Sequence, residues 1–481
     1  LGWNLGETQL IKYIAGYREM RDRTNGVLSA GSSSDEYRID YSAYTSKDGS
    51  LFLPTTPQPL DQDQISHELQ WQGSAFGGRL EYIAGLYYFE ENGKEHHPLH
   101  HILNGPIDIT ETPLFTNITS VLMAEDSRFT VNNKASAIFT QLDYTLPFWD
   151  DRLSIILGAR HSEDRRTVDR YRDLRIYLEN ETIDKVSGES IATAPLLLEE
   201  AGSNFQVSAA KKFSDDSFTL VLSAELSDNV NAYVKFAEAY KSGGYNTREP
   251  DPARFAEGFE EEKVESLEVG IKSELLDRRL RLNVNLFDSD FSNRQMNFKL
   301  PGAVTDTRVL NAGVSRMRGI ETDIMFVVTR KLITTASFSL LDAEMVSVIN
   351  PDTGEDQTEQ YTFFAAPELS WSLGLNYDVA DFSWGRLTAN MSYNYTDDTN
   401  MDNRVDYVTD SHMDGYGLFN GRVGLYEMAL AGGSVDVSLW SKNLTDEEYV
   451  VSTVPGIFPH TSRGVYWGPQ RTIGLDINYQ Y

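Results

Sequence analysis

Cysteine is missing from all 481 residues, and that one absence removes disulfide staples, thiol nucleophiles and thiolate metal sites together. Also missing is any run approaching the roughly 20 consecutive apolar residues of a membrane-spanning helix. A membrane span in this chain therefore has to be built from strands. Basic residues are outnumbered: 42 Lys and Arg face 72 Asp and Glu, for a formal net charge of −30. That balance argues against nucleic acid as a partner, because a phosphate backbone needs a basic footprint. No His-Glu-x-x-His, Gly-x-Ser-x-Gly, Walker or dinucleotide-glycine motif occurs, so no familiar catalytic signature is present. Leu1 to Glu7 holds neither an initiator Met nor a charged leader with an apolar stretch behind it, and the expectation is a fragment of a longer protein.

What is abundant is aromatic and alternating. There are 25 Tyr, 23 Phe and 7 Trp. Tyr82, Ala84, Leu86 and Tyr88 share one parity, as do Leu280, Leu282, Val284 and Leu286, which face away from Arg281, Asn283 and Asn285. Leu387, Ala389, Met391, Tyr393 and Tyr395 repeat the pattern, and so does the final stretch, where Leu475, Ile477, Tyr479 and Tyr481 oppose Asp476, Asn478 and Gln480. Period two of this kind marks strands with one apolar and one wet face. A soluble sandwich shows the same alternation, but here the aromatics sit at the ends of the apolar stripes, where a membrane barrel places its interfacial girdles. Lys235 and Lys272 keep to the polar parity, as a lipid-facing wall requires.

Connections alternate in length. Short ones are expected at Gly73 to Gly78, Phe148 to Asp151, Ser227 to Asn229, Leu276 to Arg278, Val328 to Lys331, Val379 to Trp384 and Ala429 to Gly433. Between them lie long ones, among them Glu91 to about Asn133, His161 to about Asp215, Ser242 to about Glu261 and Asn443 to Gln470. Tight turns on one rim and long loops on the other describe an outer-membrane barrel. The fold expected is all-β, an antiparallel transmembrane β-barrel with about 16 strands present, in one domain spanning residues 1–481.

Four stretches then carry a resemblance. Residues 236–246 (FAEAYKSGGYN), 311–324 (NAGVSRMRGIETDI), 443–450 (NLTDEEYV) and 468–481 (GPQRTIGLDINYQY) resemble, in order, the C-terminal barrel of a TonB-dependent outer-membrane receptor. Residues 10–18, 64–73 and 81–91 resemble upstream strands of the same barrel. Gln470 stands where a Pro is usual and Tyr481 where Phe is commoner. The resemblance implies a parent barrel of about 22 strands around an N-terminal plug, and hence a chain lacking the plug and the first strands. It implies a receptor and transporter in the bacterial outer membrane for a scarce solute, an iron-siderophore or related metal chelate first. Its implied partners are outer-membrane lipid and lipopolysaccharide, the TonB energy-coupling complex reached through the plug, and the small-molecule solute, with the protein a monomer and no cofactor. The alternatives are a passive 16-stranded porin and, from another class, an outer-membrane barrel enzyme. On this reading residues 471–481 pair with Ser434 to Trp440 and either leave their other edge open or close wrongly on Thr8 to Tyr17.

Candidate site residues are few. His96, His97, His100 and His101 cluster around Pro98 and Leu99 and are a candidate clamp for a borderline metal, against the plainer reading of a solvated polar loop. Asp398, Asn400 and Asp402 have calcium-loop spacing, but Asn403 stands where the turn glycine belongs and Thr409 where the closing Glu belongs. Tyr240, Tyr245, Tyr407, Tyr416, Tyr466 and Trp467 fall in the long connections, where they grip a planar chelate or sugar or simply pack. His67, His161, His412 and His460 stand alone, and each needs a Ser and an Asp brought by the fold to act in a triad.

Overall fold

The computed structural model describes residues 1–24, 58–104, 118–183, 190–192, 196–198, 204–247, 249–299, 307–404, 411–454 and 464–481. Nearly all of it is one antiparallel sheet of nineteen strands. Three of these are three-residue pieces, Gly2–Asn4, Ser190–Ala192 and Leu196–Leu198. The remaining sixteen run as a meander from Gln9–Thr24 to Thr472–Gln480, each paired with its neighbour in sequence. Meander order follows from the short connections, since antiparallel neighbours need only a few linking residues. All seven expected short turns are present. One of the two-residue turns joins Leu430 to Gly433 through Ala431 (φ 50°) and Gly432 (φ 86°), the two positive φ values of a primed turn whose twist suits the flanking strands.

The apolar parities line up across strands. Leu222 pairs with Val234, Val234 with Val269, Val269 with Leu286, Leu286 with Ile320 and Ile320 with Leu340. This row is not a core. Leu222 is 44%, Val269 44%, Leu286 52% and Leu340 47% exposed. A continuous apolar band turned outward on many neighbouring strands is far larger than the scattered apolar residues of a soluble surface, and it has the pattern of a membrane barrel's outer wall. The other parity is wet and self-satisfying: Lys235 lies 3.6 Å from Glu268, and Lys272 lies over the Tyr233 ring. No helix among the described residues is long and apolar enough to cross a membrane.

Several strands are taller than the alternation suggests. Leu80–Asn104, Ile118–Thr145 and Leu153–Ile183 run 25, 28 and 31 residues, so much of what reads as long connections at 91–133 and 161–215 is paired strand. Beyond the lipid band neither face has to be apolar, and residues such as Glu163 to Arg166 carry no periodic signal while still pairing with Lys211 to Ser214.

Thr472–Gln480 pairs with Gly433–Lys442 along its whole length. Among the described residues it has no partner on its far edge, and Gln9–Thr24 pairs there only with Gly2–Asn4. The edge is thus left open and is not closed onto the first strand.

Candidate functional site

Above the band, connecting segments fold onto the tall strands and build a mouth. The strand Val230–Lys241 leaves the sheet through Ser242 to Tyr245, where Gly244 and Phe259 exchange two backbone hydrogen bonds of 3.1 and 2.9 Å. Only glycine fits at 243: a Cβ there would collide with the Phe259 carbonyl oxygen and sit 2.6 Å from the Phe213 ring. Within the loop, the Asp251 carboxylate accepts from the Ala253 and Arg254 amides, capping the short helix Pro252–Glu257, whose first residue is proline. Cap and proline at these positions are what starts a helix.

The helix presents Phe255, fully buried, to the guanidinium of Arg170 at 5.0 Å. Phe129 and Phe205 stand 5.2 and 5.1 Å from the same group. Arg170, 1% exposed, also donates to the Glu249 carbonyl oxygen at 2.6 Å. A guanidinium is weakly hydrated and stacks on aromatic faces, which makes it the cation best suited to this enclosure. Burial pushes the Glu249 carboxyl above the usual carboxylate range, opposed by the Asp251 amide and by Arg308. Arg308 in turn donates to Asp352 at 2.8 Å, tying the loop of residues 242–261 to that of 349–357. Burial also raises the Tyr245 hydroxyl, whose ring packs 5.7 Å from Phe255.

A second lobe lies beside it. Tyr361 is buried against Phe298, Met296 and Val348, and the Thr362 and Ala365 amides donate to the Asn403 and Asn400 carbonyls. Between these segments opens a cavity of about 340 Å³ lined by Arg294, Gln295, Asn297, Thr362, Asp402 and Asn403 among others. Arg294 donates to the Ser315 hydroxyl at 2.7 Å and lies 4.3 Å from the Phe363 ring. Burial lowers its affinity for the proton while the nearby Glu262 carboxylate opposes that shift, and Asp402 lines the same cavity. A fixed cation beside amide and hydroxyl groups suits the oxygen donors of an anionic ligand. A larger hollow of about 510 Å³ draws its walls chiefly from the exposed apolar band, including Leu69, Trp71, Leu86, Ile138 and Phe218, and it belongs to the lipid side.

The residues singled out from sequence are dispersed. His96 Nε2 donates to the Asp126 carboxylate at 2.8 Å, and the strand turns His96 and His97 to opposite faces. The side chains of His100 and His101 lie outside the described residues, and among the described residues no three metal-ligating groups converge. Asp402 accepts from the Arg404 amide and Asp398 faces His412 at 4.0 Å, so the calcium-spaced oxygens are turned to separate partners. Tyr240 donates to Asp164, Tyr416 packs 4.5 Å from Tyr449, and Tyr466 and Trp467 are exposed. Tyr407 and His460 lie outside the described residues. His67 bonds Tyr13 and His161 bonds Asp216, and among the described residues no serine hydroxyl is bonded to either ring. Arg170, Phe255, Glu249 and Arg294 have no motif of their own, and the Asp251-Pro252 cap is the one local signal in their neighbourhood.

A family model described as "TonB dependent receptor-like, beta-barrel" matches residues 2–480. The chain belongs to that family. Its members are transport receptors rather than enzymes, and receptor barrels of this kind reside in bacterial outer membranes. The fold is similar to the ferric yersiniabactin uptake receptor FyuA from Yersinia pestis, with a TM-score of 0.69 and 15% identity over 100% of this chain and 60% of that one. It is also similar to the siderophore receptor PiuA from Acinetobacter baumannii, with a TM-score of 0.63 and 14% identity over 100% of this chain and 63% of that one. This TonB-dependent receptor barrel thus spans about three fifths of the length of those receptors.

Proposed function

We propose that the chain forms most of the wall and mouth of an outer-membrane TonB-dependent receptor that takes up a scarce anionic solute, a ferric siderophore or related metal chelate. The observation that carries the reading is the pairing of an exposed apolar band with a mouth whose cavity is lined by the partly buried Arg294 guanidinium beside amide and hydroxyl groups. Chelators that grip ferric iron do so through anionic oxygens, and a desolvated guanidinium recognises such groups strongly. The two free sheet edges call for further strands to close the wall, and the rest of the receptor supplies them together with the plug that contacts TonB. The wall binds as a monomer in this reading, with lipid and lipopolysaccharide around it.

The test is uptake of radiolabelled ferric chelates by cells carrying the full receptor, with and without a working energy-coupling complex. Energy-dependent accumulation of one chelate is expected, and Arg294→Ala should weaken its binding about tenfold or more. Energy-independent leakage of unrelated small solutes through the reconstituted protein would instead identify a passive pore.

A further inference from the structure

Glu249 is a carboxylate that the mouth encloses without satisfying. Its side chain is 2% exposed. Oε1 accepts from the Asp251 amide at 3.1 Å, whereas Oε2 has no hydrogen-bond donor among the described residues. The cation beside it is Arg308, whose Nε stands 3.6 Å from Oε2, outside hydrogen-bond length. Arg308 is itself largely buried, spends Nη2 on Asp352 at 2.8 Å, and has no acceptor for Nη1 among the described residues. A buried ion pair repays its lost hydration only when hydrogen bonds take up the remaining lone pairs and protons, and here both partners fall short.

Several segments meet at this group. Arg170, on the tall strand Leu153–Ile183, donates to the Glu249 carbonyl. Arg308 comes from the strand Thr307–Thr329, and behind it Asp352 of the segment 349–357 also faces Arg254 of the short helix at 3.9 Å. Asp251, which caps that helix, brings a like charge two residues on. Lys211 ties the far end of the loop through the Glu257 carbonyl and Glu260. Burial outweighs the cations: it holds the Glu249 carboxyl above the ordinary carboxylate range, opposed by the Asp251 amide, Arg308 and Arg254 and reinforced by the Asp251 charge. A carboxyl that binds its proton more tightly in the seated loop than in water stabilises that seat fully at and below the ordinary carboxylate range. The stabilisation is lost as pH rises through the higher value of the seated state, when charge appears on an enclosed oxygen.

We propose that Glu249 is a proton-operated catch for the loop of residues 242–261: protonated, it keeps the loop seated on the mouth, and ionised, it loosens the seat. The apolar anchor Phe255 carries no charge and holds the loop equally at every pH, so the response to protons falls to the enclosed carboxyl. Acid therefore shuts this side of the mouth and neutral conditions free it. The catch acts on the loop whatever the solute is, so it stands or falls separately from the cargo proposed above.

The experiment uses the full receptor in detergent micelles, with Ala256→Cys, an exposed position on the short helix, carrying a nitroxide and any cysteine outside these 481 residues replaced. The spectrum separates seated from mobile label at each pH from about 5 to about 8, a range that spans the upper side of carboxylate titration. With Glu249 intact, the ratio of mobile to seated label should rise about tenfold across that range. Glu249→Gln, isosteric with the protonated acid, should keep the label seated throughout. Arg308→Gln removes an opposing cation and should move the midpoint to higher pH, whereas Glu260→Gln, at the exposed Lys211 pair, should leave the response as it is. A flat response with Glu249 intact, greater mobility in acid, an unchanged response in Glu249→Gln, or a response lost in Glu260→Gln instead would overturn the proposal. So would a midpoint in Arg308→Gln that stays or falls. Heat-dependent gel mobility checks that each variant keeps its folded wall.

Discussion

Val269→Arg is expected to destabilise the inserted wall by about 2–4 kcal/mol, the cost of a cation on the lipid face near mid-bilayer depth. Val269 sits in the middle of the outward row, between Val234 on one strand and Leu286 on the other, and is 44% exposed. In a soluble protein, arginine at so exposed a position would change stability by less than about 0.5 kcal/mol. The contrast makes the substitution informative. Asn285→Arg on the opposite parity of the neighbouring strand should be close to neutral, because Glu321 lies across from it. Urea unfolding in lipid vesicles measures both. Equal, small effects from the two would mean that the apolar face does not meet lipid.

Phe255→Ala should release the loop of residues 242–261 from the mouth while leaving the wall intact. Phe255 is fully buried and closes one side of the cage around Arg170. Emptying a buried phenylalanine site costs about 3–5 kcal/mol, and here it also strips one aromatic face from a buried cation. The polar ties that remain, two backbone hydrogen bonds between Gly244 and Phe259, the Arg170 bond to the Glu249 carbonyl and the Arg308–Glu249 ion pair, open to water once Phe255 is gone and are together worth less than that loss. Limited proteolysis should therefore cut within residues 245–258 in the variant and not in wild type, with the unfolding transition of the strands unchanged. Phe255→Leu, which keeps most of the volume, should fall between them. Identical cleavage of wild type and Phe255→Ala would show that the loop is not held by this contact.

Which parts of this architecture the sequence revealed follows from where lipid imposes a pattern. Between Leu280 and Leu286, or Leu475 and Tyr479, every second side chain belongs to the exposed apolar band, so alternation, turn positions and the pairing of the last strand with residues 434–440 were all legible. Above the band both faces are wet. Strand there is held by backbone pairing and by polar cross-strand contacts such as Arg172 with Glu125, which leave no period in the sequence, and the stretch from Ser162 to Ile183 reads as a loop although it continues the wall. The same continuation explains the histidines: His96 and His97 look clustered in one dimension, yet an extended strand turns them apart. The mouth was illegible for a different reason. Arg170 and Glu249 are 79 residues apart, and Phe129, Phe205 and Phe255 reach the guanidinium from three separate segments. Only the Asp251-Pro252 cap is local, and it announces a helix without saying what the helix covers. Arg294 likewise gains its setting from Phe363 and Ser315, residues no spacing rule connects to it.

The central claim is that one parity of these strands faces lipid and the other faces water, and the absence of cysteine from these 481 residues leaves every labelled position in them free of background thiols. Single cysteines placed one at a time from Arg281 to Leu286, spin-labelled in the full receptor reconstituted into bilayers, report collisions with oxygen, which concentrates in hydrocarbon, and with a water-soluble nickel chelate. Labels at Leu282, Val284 and Leu286 should favour oxygen, and those at Arg281, Asn283 and Asn285 the nickel chelate, with a strict period of two. Accessibility without that period, or with nickel favoured at Leu282, Val284 and Leu286, would contradict the account.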